Sequence, residues 1–191
     1  MTLFGTKFRY GSVAQAFHWV TFILLATAWL VAHGHTRVLH ETLGFTVFAI
    51  VVARLLWRAF DRRPEHESMS LVVVLASKLV HWLLYAMLIA IPLTAIVGTW
   101  LEGHAVIVYG LGPIGPYVAE SRHLGDQIMR FHYLIANAIV LVAGSHAAAA
   151  LFHHFFMKDD VLRAMLPDAV ARVLDVRRET PVRPAPSPRI G

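Results

Sequence analysis

The chain contains no cysteine. Disulfides, iron–sulfur clusters and thiolate-ligated haem are therefore excluded. Charge is also scarce. Asp, Glu, Lys and Arg make up 15 % of the 191 residues, against roughly 25 % in a soluble domain. With 57 % hydrophobic residues and a mean hydropathy of +0.59, too little polar surface is left for a water-facing fold. The alternating hydrophobicity of a membrane barrel is missing as well. The apolar runs carry no Asp or Glu at mid-depth, where a transporter would place its coupling residues.

What the sequence does have is four long apolar runs and twelve histidines. A spanning helix needs about 20 mostly apolar residues. The runs 13–32, 39–60, 71–100 and 126–156 meet that requirement, and Pro92 is a natural kink point in the third. These predict an all-α, integral membrane four-helix bundle over 1–158. A cytoplasmic surface helix (159–176) and a disordered, Pro-rich tail complete the chain to 191. The first run is long enough to span and has no small-residue cleavage site after it, so it reads as a helix and not as a signal peptide.

The basic character reads as membrane topology. Fourteen of the seventeen Lys and Arg fall on one side: Lys7, Arg9, Arg54, Arg58, Arg62, Arg63, Lys78, Lys158, Arg163, Arg172, Arg177, Arg178, Arg183 and Arg189. Arg37, Arg122 and Arg130 fall on the other. The positive-inside rule puts both termini in the cytoplasm and the 102–125 loop in the periplasm of a bacterial inner membrane. Basic residues dispersed in short loops argue against nucleic acid. The loop sequence Gly110-Leu-Gly112-Pro-Ile-Gly115 matches a dinucleotide fingerprint. It lies between membrane spans with prolines in and after it, with no helix opening at it, and reads as a turn-rich loop.

An intramembrane histidine is costly unless it is used, and neutral imidazole is a common axial ligand of haem iron. His132 and His146 are 14 residues apart. That is close to four helical turns, so the two share a face about 21 Å apart along the axis. One helix thus offers two imidazoles at two depths, as two haem b groups stacked across a bilayer require. Depth pairs His40 with His132 at the periplasmic level and His18 with His146 at the cytoplasmic level. His81 lies near the latter depth, and spacing alone leaves it open as an axial ligand. Arg54 lies 14 residues beyond His40, at the level of the inner haem, where it either meets a propionate or snorkels to the interface.

Lys78, one turn before His81, and His153, two turns past His146, would converge with His81 beneath the inner haem. Proton donors around an apolar cleft suit a quinone headgroup. Arg37, Arg122 and Arg130, with His33, His35, His104 and His123, would form a positive periplasmic rim that draws a small anion. His66 and His154 read as interfacial residues.

At these positions the chain resembles the bacterial cytochrome b561 family of dihaem inner-membrane proteins. The matching pieces are Gln15-Ala-Phe-His18-Trp19, Ala53-Arg54-Leu-Leu-Trp-Arg58, Ser145-His146-Ala-Ala-Ala-Ala-Leu-Phe-His153-His154 and Met157-Lys158-Asp159. They lie within 7–167, and the helix-4 stretch is the most specific. The resemblance implies two bis-histidine haems ligated by His18, His40, His132 and His146, and favours these over His81. It also implies an activity: electrons from periplasmic superoxide pass to ubiquinone, with Lys78, His81 and His153 lining the quinone site. Members commonly carry a histidine where Lys78 stands. A second reading uses the same haems in a relay subunit that takes electrons from a periplasmic dehydrogenase or hydrogenase.

Overall fold

The computed structural model describes residues 3–6, 9–34, 36–61, 70–167, 169–171 and 173. His35, Arg62, Arg63, His66 and the tail arginines lie outside them. Four helices dominate: α1 (Ser12–Ala32), α2 (Arg37–Phe60), α3 (Leu71–Leu101) and α4 (Arg122–Phe152). All four are long and apolar enough to cross a membrane. Their outer faces carry large exposed apolar side chains such as Leu30, Leu79, Trp82, Leu134 and Leu141, as expected where lipid is the solvent.

The expected boundaries agree closely for α1 to α3. α4 begins four residues before the apolar run, because its polar first turn follows Ser121 directly. Pro92 sits inside α3 without ending it. α3 packs along α4, α1 along α2, and α2 joins the two pairs. Gly98 lets α4 come close, since a Cβ there would run into Met129. Val47, Val51, Met87, Leu88 and Ile139 form the apolar core where α2, α3 and α4 meet.

Two features depart from the sequence reading. The α3–α4 loop is not a plain loop: β1 (Val106–Val108) pairs antiparallel with β2 (Gly112–Ile114). The turn between them places Gly110 at φ 81° and closes with Leu111 N–H donating to Val108 O at 3.1 Å. Positive φ at that position is the requirement that selects glycine, so the dinucleotide-like glycines serve a hairpin. The hairpin is pinned to α2, with Ile107 N–H donating to Glu41 Oε2 (2.7 Å) and Tyr109 N–H to Thr42 Oγ1 (3.0 Å).

At the opposite end, α4 runs into a π-helical turn, His153–Met157, that Lys158 ends in the left-handed region at φ 57°. α5 (Val161–Met165) follows. The expected 159–176 helix is interrupted at Leu166, which is extended, and at Pro167, after which residues 169–171 and 173 are helical again. α5 lies against the N-terminal segment: Arg9 donates to Leu166 O (2.8 Å) and Trp19 Nε1 to Met165 O (3.1 Å). The segment before α1 and the segment after α4 therefore meet at one end of the bundle, the terminal end, opposite the hairpin end.

Candidate functional site

At the hairpin end, His40 of α2 faces His132 of α4, with ring centres 6.4 Å apart and planes at 82°. Both rings are held by backbone. His40 Nδ1 lies 2.9 Å from Ala28 O of α1, and His132 Nδ1 lies 2.9 Å from Ile91 O of α3. A carbonyl can only accept, so each Nδ1 carries the proton and each Nε2 keeps its lone pair. This is the tautomer that metal-ligating histidines adopt when a second group orients them. Ile91 precedes Pro92, and its carbonyl also accepts from Thr94 Oγ1 at 2.8 Å.

At the terminal end, His18 of α1 faces His146 of α4, again with ring centres 6.4 Å apart, at 67°. Here the partner is different. Arg54 lies 3.2 Å from His18 Nδ1, and a guanidinium can only donate. His81 of α3 approaches the same His146 ring at 5.0 Å, and its Nδ1 donates to Ser77 O at 2.6 Å.

These residues fit haem. Two imidazoles bound on opposite sides of one metal, with metal–nitrogen bonds of about 2 Å, have ring centres about 6 Å apart. Both 6.4 Å pairs meet that span; the 5.0 Å His81–His146 contact is too short for it. Space is present as well. α1 and α4, which carry the facing His18 and His146, make no extensive contact. Gly44, one turn past His40 and so on its face, has nothing within 4 Å of where a Cβ would stand. Glycine in a helix interior costs about 1 kcal/mol relative to alanine, and an open cradle beside a ring ligand is a reason to retain it.

The remaining predicted residues divide. Arg37 pairs with Glu41 at 2.6 Å and Arg122 with Glu120 at 2.8 Å, so carboxylates offset much of the expected positive rim. Arg130 is exposed and stands two residues, some 200°, from His132 around α4. His33 turns back to bond Trp29 O at 2.9 Å; His104 and His123 are exposed.

The three residues expected to converge beneath the inner level do not gather as a cluster. Lys78 is exposed, His81 meets His146, and His153 Nδ1 pairs with Asp159 Oδ2 at 2.5 Å. His153 opens the π turn that ends α4. His154, within that turn, is buried at 7 % exposure, where an interfacial residue was expected. Sequence reasoning also missed the carbonyls of Ala28 and Ile91, because backbone groups carry no residue identity; Pro92 and Thr94 beside Ile91 were the available signal.

The sequence profile of the prokaryotic cytochrome b561 family matches residues 9–168. A protein named probable superoxide oxidase CybB, from Yersinia pestis, is 28 % identical over 83 % of this chain and 96 % of its own length. Two Escherichia coli K12 proteins are similar. Cytochrome b561 homolog 2 is 28 % identical over 87 % of this chain and 95 % of its own, and cytochrome b561 homolog 1 is 25 % identical over 83 % and 97 %. With four membrane-length helices, paired intramembrane imidazoles and a match along most of its length, the chain belongs to the prokaryotic cytochrome b561 family of haem b-binding membrane electron-transfer proteins.

Proposed function

We propose that the protein is a dihaem cytochrome b of the bacterial inner membrane that oxidises superoxide on its periplasmic face and reduces ubiquinone. His40 and His132 hold one haem b, His18 and His146 the other. The observation that carries this reading is the pair of matched 6.4 Å imidazole spacings at two levels of the bundle. Haem b at both levels supplies one-electron carriers between the two membrane faces. The overall chemistry balances as two superoxide anions, one quinone and two protons giving two dioxygen molecules and one quinol.

The chain's own residues supply the rest. Arg37, Arg122 and Arg130 bias the periplasmic face toward an anion. Of the residues expected at the quinone, His81 stands against His146 and His153 against Asp159, and with the exposed Lys78 they would serve it from separate positions at the terminal end. Asp159, more exposed than His153 at 28 % against 15 %, is placed to take a proton from solvent and pass it to that imidazole. The superoxide step draws support from the name of the Yersinia relative. The cytoplasmic placement of both termini rests on the arginine and lysine asymmetry.

The relay-subunit reading has one observation in its favour. The hairpin and its following loop expose Tyr109, Leu111 and Tyr117, an apolar tip suited to a protein partner. Stopped-flow mixing of the purified oxidised protein with superoxide separates the two readings. Rapid haem reduction, followed by quinol formation, is expected; no haem reduction would assign the protein to the relay class.

A further inference from the structure

Arg54, which the sequence sets at the inner haem level, belongs to a polar cluster whose other members have no role in the proposed function. At the terminal end, a cleft is lined by Arg54, Trp57, Arg58 and Asp61 of α2 and its cap, with Tyr10 before α1 and Tyr85 of α3. Arg54, Trp57 and Arg58 are spaced i, i+3, i+4 and so share one helix face. The Arg54 and Arg58 guanidiniums lie 5.4 and 5.6 Å from the centre of the Tyr85 ring. Trp57 Nε1 and Tyr85 Oη are buried without a hydrogen-bond partner. A buried donor left unpaired is destabilising, and two of them on residues that line one cleft with two cations describe a site built for an acceptor. The nearby carboxylate is engaged, since Asp61 Oδ1 accepts from Gly5 N–H at 2.8 Å.

Arg54 links this cleft to the histidine pair. It donates to His18 Nδ1. Ligation of iron through Nε2 leaves the proton on Nδ1, which removes that acceptor and obliges the guanidinium to find another. An anion fits better than a neutral carbonyl group. A quinone oxygen would satisfy the two neutral donors only, whereas a carboxylate also accepts bidentately from arginine and adds a second negative charge to a cleft whose lining has two arginines and one carboxylate, Asp61.

We infer that Arg54, Trp57, Arg58 and Tyr85 clamp the propionate carboxylates of the haem held by His18 and His146. The inference rests on the ligand assignment proposed above. Its test is a redox titration of the purified haem-loaded protein, with haem transfer to apomyoglobin as a second readout. In Arg58→Gln and Tyr85→Phe, both haems stay bound and one midpoint potential falls while the other does not move. A cation or donor lost near the haem edge disfavours the added electron. Haem leaves that one site about tenfold faster or more in Arg58→Gln, and Arg58→Lys restores most of the potential. The conservative Tyr85→Phe keeps the test alive if an arginine variant fails to fold. Unmoved potentials and unchanged transfer in both variants would overturn the clamp. So would a raised KM for ubiquinone with both potentials unmoved, which would make the cleft a quinone site. His18→Ala separates the two levels of inference: retention of both haems removes the ligand assignment itself, whereas loss of one haem with a silent Arg58→Gln removes only the clamp.

Discussion

The two histidine pairs have the same ring spacing and different surroundings. At the hairpin end, His40 and His132 are each oriented by a main-chain carbonyl from a neighbouring helix, Ala28 of α1 and Ile91 of α3. At the terminal end, His18 meets a guanidinium and His146 is shared with His81. The first pair is set by backbone, which no side-chain substitution outside the pair removes. The second is set by side chains, which can move and can be replaced. Equal spacing therefore does not mean equal rigidity, and the terminal-end site is the one whose properties neighbouring residues tune.

The largest effects test the pairs directly. His132→Ala and His146→Ala should each lose one of the two haems, read as a halved haem-to-polypeptide ratio in a pyridine haemochrome assay. Full retention in both would refute the ligand assignment at either end. Next in size, Gly98→Leu forces a branched side chain onto Met129. Overpacking of this kind costs about 1–3 kcal/mol, so thermal unfolding should begin at lower temperature and the hairpin-end haem should be released first. Release of the terminal-end haem first would break the link between α3–α4 packing and the hairpin-end site.

A smaller effect is expected from the hairpin-end carboxylate. Glu41→Gln frees the Arg37 charge and replaces one charged acceptor beneath Ile107. Reduction by superoxide should then be a few-fold faster at low ionic strength, and the gain should vanish near 0.15 M salt, where the Debye length is about 8 Å. A gain that survives added salt would mean the effect is not steering. The smallest change is expected from Thr94→Val. It removes a hydroxyl 3.4 Å from His132 Nδ1 while Ile91 O remains. Haem content should hold, with at most a slight displacement of one α-band in the reduced spectrum. Loss of that haem would show that the carbonyl alone does not orient the ring.

Much of this architecture was legible in the sequence. The 14-residue separation of His132 and His146 fixes a common face for any straight α-helix, and α4 is straight in that sense between them. The same logic reaches its limit seven residues later, where a π turn begins at His153, and periodicity carries no warning of a change in residues per turn. The 102–125 loop hid its hairpin for a related reason: strands of three residues are too short to establish an alternating pattern. Arg54 shows an intermediate case. Its register placed it near the inner histidine level, and it lies 3.2 Å from His18 Nδ1, but nothing in its spacing indicated that Trp57 Nε1 and Tyr85 Oη would be buried without hydrogen-bond partners.

The sequence by itself determined the solvent, the number of spans and the two histidine levels, because hydropathy and helical period are local properties that survive without knowledge of any neighbour. Which imidazole faces which, which nitrogen carries the proton, and whether a basic residue stands paired or free were decided only by tertiary structure. Those depend on main-chain carbonyls and on side chains from other helices, and their approach is fixed by packing across the bundle.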